Sequence, residues 1–309
     1  MSETTRAVRL SRLAHEDLVT VSGTGAAGGT WHAIGEIFRH REMLDLLIRR
    51  DLKSRYKDSV LGFAWTLVRP IVQLVIYFVI IGKVLGAAQS VHDYAVYVFS
   101  GLILYSFFSE MITGTTGSIV GNSGLIKKIY LPREVFPLAS IGSAIFNFLM
   151  QFVILIAATL ISRAFPISAG LIYLIPSLLL ILVYGTAFGL LLAAVNVYLR
   201  DIQYLVEVAM LLLLWASPIV YSYTMVHQLV TKSFGADSWV MQLYTDNPIT
   251  LAVLGFRKAM WTAGAHLGGS EYPDHLLLRT GIAIVIGLIL IVVFQRVFAR
   301  LQGNFAQEI

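Results

Sequence analysis

The stretch RRDLKSRYKDSVLGFAWTLVRP, residues 49–70, sets five cations (Arg49, Arg50, Lys53, Arg55, Lys57) against two acids (Asp51, Asp58). It runs without a linker into one of the most apolar parts of the chain. Several cations beside one groove can bind a diphosphate headgroup through charge-assisted hydrogen bonds. The same cations can also act as a topology anchor that keeps the first span's entrance inside. The two roles are compatible. Arg69 lies deeper, seven residues after Gly62. A cation there either snorkels back to the interface or faces a water-filled path. Pro70 biases Arg69 toward extended backbone. That predicts a break at Arg69–Pro70, between a short helix over 58–68 and the span proper.

A second set of residues suits carbohydrate. Aromatic rings give sugars a flat apolar face with a polar tip. Tyr94, Tyr97, Gly101, Tyr105 and Phe108 share one stripe at helical spacing, and Gln73 and Tyr77 are one turn apart. Trp215, Tyr221 and Tyr223 follow later. Any one of these rings can equally be core or part of the interfacial belt. Ser140, Ser143, Asn147 and Gln151 form a polar stripe that reads as helix packing. Gly185 and Gly189 give a small-xxx-small spacing of the same kind. Glu110 and Glu207 are costly acids in or near apolar segments, where an acid is by default a functional candidate or half of an ion pair.

Metal and nucleotide chemistry find less support. His227, Asp237, Asp246, His266, Glu271, Asp274 and His275 are scattered, without metal-ligand spacing. Cysteine is absent. No G-x-x-x-x-G-K-[ST] phosphate loop occurs, and the one Gly-Lys pair, Gly82-Lys83, ends an apolar run.

These residues must be positioned by membrane helices. The chain has 309 residues, 57% hydrophobic and only 13% charged, with a mean hydropathy of +0.75. A soluble domain carries about a quarter charged residues, so the composition points to a polytopic membrane protein. The net charge of +5 then reflects basic inner loops rather than a nucleic-acid partner. Six stretches reach the roughly 20 residues a crossing needs: 62–86, 94–116, 138–162, 171–195, 204–222 and 277–298. With both termini inside, sixteen of the 23 Lys and Arg are cytoplasmic, as the positive-inside rule prefers. Residues 247–264 are apolar enough for a seventh crossing, but Arg257 and Lys258 would then sit mid-membrane. A re-entrant helix in a long external loop, 223–276, is the preferred reading. Residues 1–30 read as a cytoplasmic tail and 31–60 as an amphipathic helix region in the membrane interface. The six-span domain covers 61–300, and 301–309 is a second cytoplasmic tail. The expected fold is therefore an all-α membrane protein of six transmembrane helices, with an N-terminal interfacial helix and re-entrant external helices.

The ordered motifs resemble one family. The pattern Arg55, Tyr56, Lys57, Leu61, Gly62, Trp65, Pro70 is similar to the entry region of ABC-2-type permeases that export bacterial polysaccharides. LIKKIYLPREVFPL (125–138), VYLRDIQYLVEV (197–208), SPIVY (217–221) and NPIT (247–250) match in the same order. The resemblance covers roughly residues 35–300. It implies a homodimer of permeases in the bacterial inner membrane, with two separate ABC ATPase subunits that bind ATP and Mg. It implies a polyprenyl-diphosphate-linked glycan as cargo, with Arg49, Arg50, Lys53, Arg55, Lys57 and Arg69 at the diphosphate. Gln73, Tyr77, Tyr97, Tyr105, Trp215 and Tyr221 would line the glycan channel. Lys127, Lys128, Pro132, Arg133, Glu134, Arg200 and Asp201 would couple to the ATPase. The alternatives are export of a drug or smaller lipid by the same kind of permease, or a membrane enzyme acting on a lipid-linked sugar. The subunit itself is expected to be non-catalytic.

Overall fold

The computed structural model describes residues 35, 39–56, 64–84, 86, 91, 93–128, 131–161, 168–235, 238–262 and 272–308. All regular elements among them are helical. Five are long and apolar enough to cross a membrane. The first is α2 (Trp65–Ile76), continued by wider π-helical turns over Tyr77–Val84. The others are α3 (Tyr94–Gly121), α4 (Val135–Ile161), α5 (Leu174–Tyr198, entered through a 3-10 turn) and α10 (Leu276–Leu301).

The fifth expected span differs. Instead of running over 204–222, α6 covers only Ile202–Ala216, about 22 Å at 1.5 Å per residue. That falls short of a hydrocarbon core of about 30 Å. Pro218 is the cause: Ser217 before it is extended, φ −115° and ψ 148°, the geometry that a following proline favours. Residues 217–222 continue as an irregular segment, buried except at Tyr221. The expected break at Arg69–Pro70 does not occur. Helix α2 starts at Trp65 and runs through Pro70, which forfeits one backbone hydrogen bond near the helix start. Arg69 is thus helical rather than extended.

Helix α3 is the central mast, packed on α4 and α5. Its contact with α5 is close because α5 offers Gly185 and Gly189. A Cβ at Gly185 would lie 2.5 Å from the Met111 side chain, and one at Gly189 would lie 2.6 Å from Thr115. The small-xxx-small pair is therefore a true close approach.

Beyond α6 come α7 (Tyr223–Phe234), α8 (Trp239–Thr245) and α9 (Pro248–Met260). Ser222, Ser238 and Asn247 cap them, each accepting a backbone N–H within its first turn, as N-cap residues do. Pro248 stands at a first-turn position that needs no donor. Every residue of α9 except Pro248 and Lys258 is buried, and the helix packs on α3, α5 and α10.

At the other end, α1 (Arg41–Tyr56) does not spread its apolar face on lipid as expected. Leu47 is buried, and Met43, Leu44 and Ile48 pack on a cluster of Ile119, Val135, Phe136, Ala193 and Phe298. Gly142 on α4 admits the helix, since any Cβ there would strike the Ile48 side chain. The chain end also closes on this cluster rather than trailing free. After the turn Gln302–Asn304, α11 (Phe305–Glu308) seats Phe305 with no exposure.

Candidate functional site

A polar groove of about 600 Å³ opens between α2, α3 and α4. Helix α2 contributes Trp65 and Gln73, α3 contributes Tyr105, Ser109 and Glu110, and α4 contributes Asn147 and Gln151. Asn147 Nδ2 donates to Glu110 Oε1 at 2.5 Å, which satisfies part of a carboxylate that would be costly in an apolar bundle. The Tyr105 hydroxyl donates to the Met210 carbonyl, tying the groove wall to α6. Hydroxyl, amide and carboxylate groups beside one indole ring match the hydrogen-bonding and stacking needs of a carbohydrate. Asn147 and Gln151 were expected to pack between helices; both instead line this groove. They share it with Glu110, the acid already marked by its sequence position as a functional candidate.

The other channel candidates are placed differently. Tyr77 is half-buried against the core. Tyr97, at 1% exposure, offers no ring face to a cargo: the Arg257 guanidinium covers it at 3.6 Å, and its hydroxyl donates to the Tyr221 carbonyl at 3.1 Å. That corrects its expected channel role, because Arg257 and Trp261 cover the ring. Trp215 is exposed on α6. The Tyr221 hydroxyl donates to the Trp215 carbonyl at 2.6 Å, so these two stand together, outside the groove lining. Burial raises the phenol of Tyr244, which lies outside the spans, well above its ordinary range, with Tyr221 adding to the shift.

Of the cations at the entrance, Arg49 pairs with Asp45 at 2.7 Å. Arg50 pairs with Asp51 at 2.8 Å and donates to Asn122 Oδ1 at 2.5 Å. Lys53 is exposed on the same helix. Lys57 and the side chains of Arg55 and Arg69 lie outside the described residues. So the acids of α1 hold two of the cations locally, at little cost for a ligand to displace.

Of the residues expected to couple to the ATPase, Lys127, Lys128, Arg200 and Asp201 are exposed and Pro132 is half-buried. Glu134 is buried and accepts from Gln302 Nε2 at 3.3 Å. The Arg133 guanidinium lies 5.6 Å from the Phe305 ring. The 127–134 loop is thus braced by the chain end, a link the sequence reading missed because the last nine residues looked like a polar tail. Phe305, the one aromatic residue among them, was the available signal. Arg257, which with Lys258 pointed to a re-entrant helix in the external loop, was given no site role from the sequence; its side chain is 1% exposed.

An all-helical bundle with five crossing-length helices and a polar groove between three of them defines a polytopic membrane subunit. The chain belongs to the ABC-2 type transporter family, whose profile matches residues 43–261. It is similar to the O-antigen export system permease protein RfbA of Klebsiella pneumoniae, 25% identical over 267 residues, 86% of this chain and 94% of that one. The protein of the same name from Myxococcus xanthus is 28% identical over 189 residues, 61% of this chain and 71% of that one. A shorter match, 28% over 82 residues (26% of this chain and 32% of that one), joins it to the polysialic acid transport protein KpsM of Escherichia coli. The protein is thus a multi-pass, non-catalytic membrane subunit of an ABC transporter in the bacterial inner membrane, and it works with an ABC ATPase.

Proposed function

We propose that this permease, as a homodimer with two ATPase subunits that bind ATP and Mg, exports a polyprenyl-diphosphate-linked polysaccharide. The observation that carries the reading is the match across 94% of an O-antigen export permease. The polar groove supports it with the chemistry that a sliding glycan needs. Arg49, Arg50 and Lys53, with Arg55, Lys57 and Arg69, engage the diphosphate, the one strongly anionic part of the cargo. Gln73, Tyr77 and Tyr105, with Trp215 and Tyr221 at the outer end, serve the sugar chain. Lys127, Lys128, Arg200 and Asp201 meet the ATPase, while Pro132, Arg133 and Glu134 hold their loop.

Reconstitution with the ATPase and a defined lipid-linked polymer tests this. Replacing Arg49, Arg50, Lys53 and Arg55 together by Gln should abolish export while dimer and ATPase assembly persist. Export at the wild-type rate after that change would leave the helix as a topology anchor only.

A further inference from the structure

Residues 217–222 present a problem that backbone chemistry poses by itself. The segment is irregular and largely buried, so its carbonyls must find donors other than a helix. Three successive ones do, each from a different side chain. Arg257 Nη2 donates to the Ile219 carbonyl at 2.8 Å. The Tyr94 hydroxyl donates to the Val220 carbonyl at 3.3 Å and the Tyr97 hydroxyl to the Tyr221 carbonyl at 3.1 Å. The donors come from the outer turns of α3 and from α9.

Arg257 is the centre of this arrangement. It has no carboxylate partner among the described residues, and a buried charge is tolerated only when it is well bonded. Its Nε donates to the Tyr97 carbonyl at 3.3 Å, its plane lies on the Tyr97 ring, and Trp261 closes the ring's edge at 4.9 Å. Gly101 leaves it room, since a Cβ there would come within 3.0 Å of Nη2. Planar stacking and directed donation together are what guanidinium does and an ammonium does not. Helix α6, by contrast, is exposed along most of its length, with only Val206 and Met210 buried. Its outer end therefore depends on the segment that follows it.

We propose that Arg257, Tyr94 and Tyr97 form a positioning clamp that holds segment 217–222 in register and thereby sets Trp215 and Tyr221 at the outer mouth of the export path. The clamp grips backbone, so it fixes where the segment lies whatever side chains it carries. The role of the mouth rests on the export reading above; the clamp itself does not.

The chain has no cysteine, so one introduced thiol reports alone. Ile219→Cys is placed at a site with no exposure and Leu276→Cys at an outer control site of 2% exposure. Both are probed with a membrane-impermeant maleimide on the reconstituted transporter. With Arg257 intact both thiols should be protected. Arg257→Gln should speed labelling of Ile219→Cys at least tenfold and leave Leu276→Cys protected, with Arg257→Lys in between. If Arg257→Gln fails to accumulate, the double variant Tyr94→Phe, Tyr97→Phe removes two donors and keeps both rings; it should speed labelling about threefold. Equal exposure of both thiols, or continued protection of Ile219→Cys, overturns the clamp. Glycan exported per ATP hydrolysed should fall at least tenfold in Arg257→Gln, with ATPase turnover within about twofold of wild type. Unchanged export per ATP with a reactive Ile219→Cys overturns the positioning role. A wild-type complex that exports no lipid-linked glycan instead sinks the export reading, and the labelling still decides the clamp.

Discussion

Arg257 and Arg49 are the same residue type in opposite circumstances. Arg257 is 1% exposed, without a carboxylate partner among the described residues, and bound to two backbone carbonyls. Arg49 is an exposed side chain, 70% open, held by an acid one turn away that is itself exposed. The first charge is committed to architecture, because leaving its environment would strand buried carbonyls and a buried ion. The second is nearly free to change partners, since exposed ion pairs contribute about 0–1 kcal/mol. The end of the bundle that holds segment 217–222 thus commits its cation to shape, and the end that carries α1 keeps its cations available. On the export reading proposed above, that division places displaceable charge where the diphosphate would arrive and fixed charge where the cargo would leave.

The contrast can be broken first from the inner side. Phe305 is fully buried with Tyr198, Phe298 and the Arg133 guanidinium around it. Phe305→Ala should cost about 3–5 kcal/mol, the range for deleting a buried phenyl ring. Thermal unfolding in detergent would read it. Protection of Ile219→Cys should remain, if the two ends are separately built. Loss of outer protection in Phe305→Ala would mean that one cooperative body, not two local devices, underlies the difference.

A smaller effect is expected at the joint between the ends. Gly189→Val would drive a side chain into Thr115, and Thr115 cannot easily yield because its hydroxyl is bonded to the Met111 and Ile112 carbonyls. Overpacking of this kind costs about 1–3 kcal/mol. The same unfolding measurement should show it, and a variant as stable as wild type would show that α5 can slide along α3.

The spans were legible because apolar length is a one-dimensional property. Five of six stretches became crossing-length helices within a few residues of their expected ends. The sixth failed where a backbone rule outranked hydropathy, at Pro218. The close approach of Gly185 and Gly189 was readable from spacing, since four residues on a helix return to one face. What could not be read was which partner a face would meet. The basic helix has the amphipathic pattern of a lipid-surface helix, yet protein covers its apolar side, and nothing in its own residues separates lipid from a neighbouring helix. Asn147 and Gln151 share a stripe with Ser140 and Ser143, but only the placement of α2 decides that the first two face a groove. Arg257 and Lys258 were a reason to read 247–264 as re-entrant rather than as a seventh crossing. The Arg257 charge is partly compensated by the Ile219 carbonyl and by the carbonyl and ring face of Tyr97, contacts 38 and 160 residues away in sequence that no local pattern announces.

The smallest effect on stability belongs to the cations with the largest proposed role. Arg49→Gln with Arg50→Gln should change unfolding free energy by no more than about 1 kcal/mol per pair, because both ion pairs are solvated. Binding to vesicles containing a polyprenyl diphosphate should nonetheless weaken strongly. For the wild type, binding should fall as salt rises from 0.1 to 1 M and the screening length drops from about 10 to about 3 Å. The paired acids give the test its direction. Asp45 competes with an incoming phosphate for Arg49, so Asp45→Asn should tighten binding a few-fold while removing the same ion pair that Arg49→Gln removes. A structural role for the pair predicts that the two substitutions act alike; a ligand-binding role predicts that they act oppositely. Equal weakening by both would return Arg49 to the class that Arg257 occupies, a cation kept for shape.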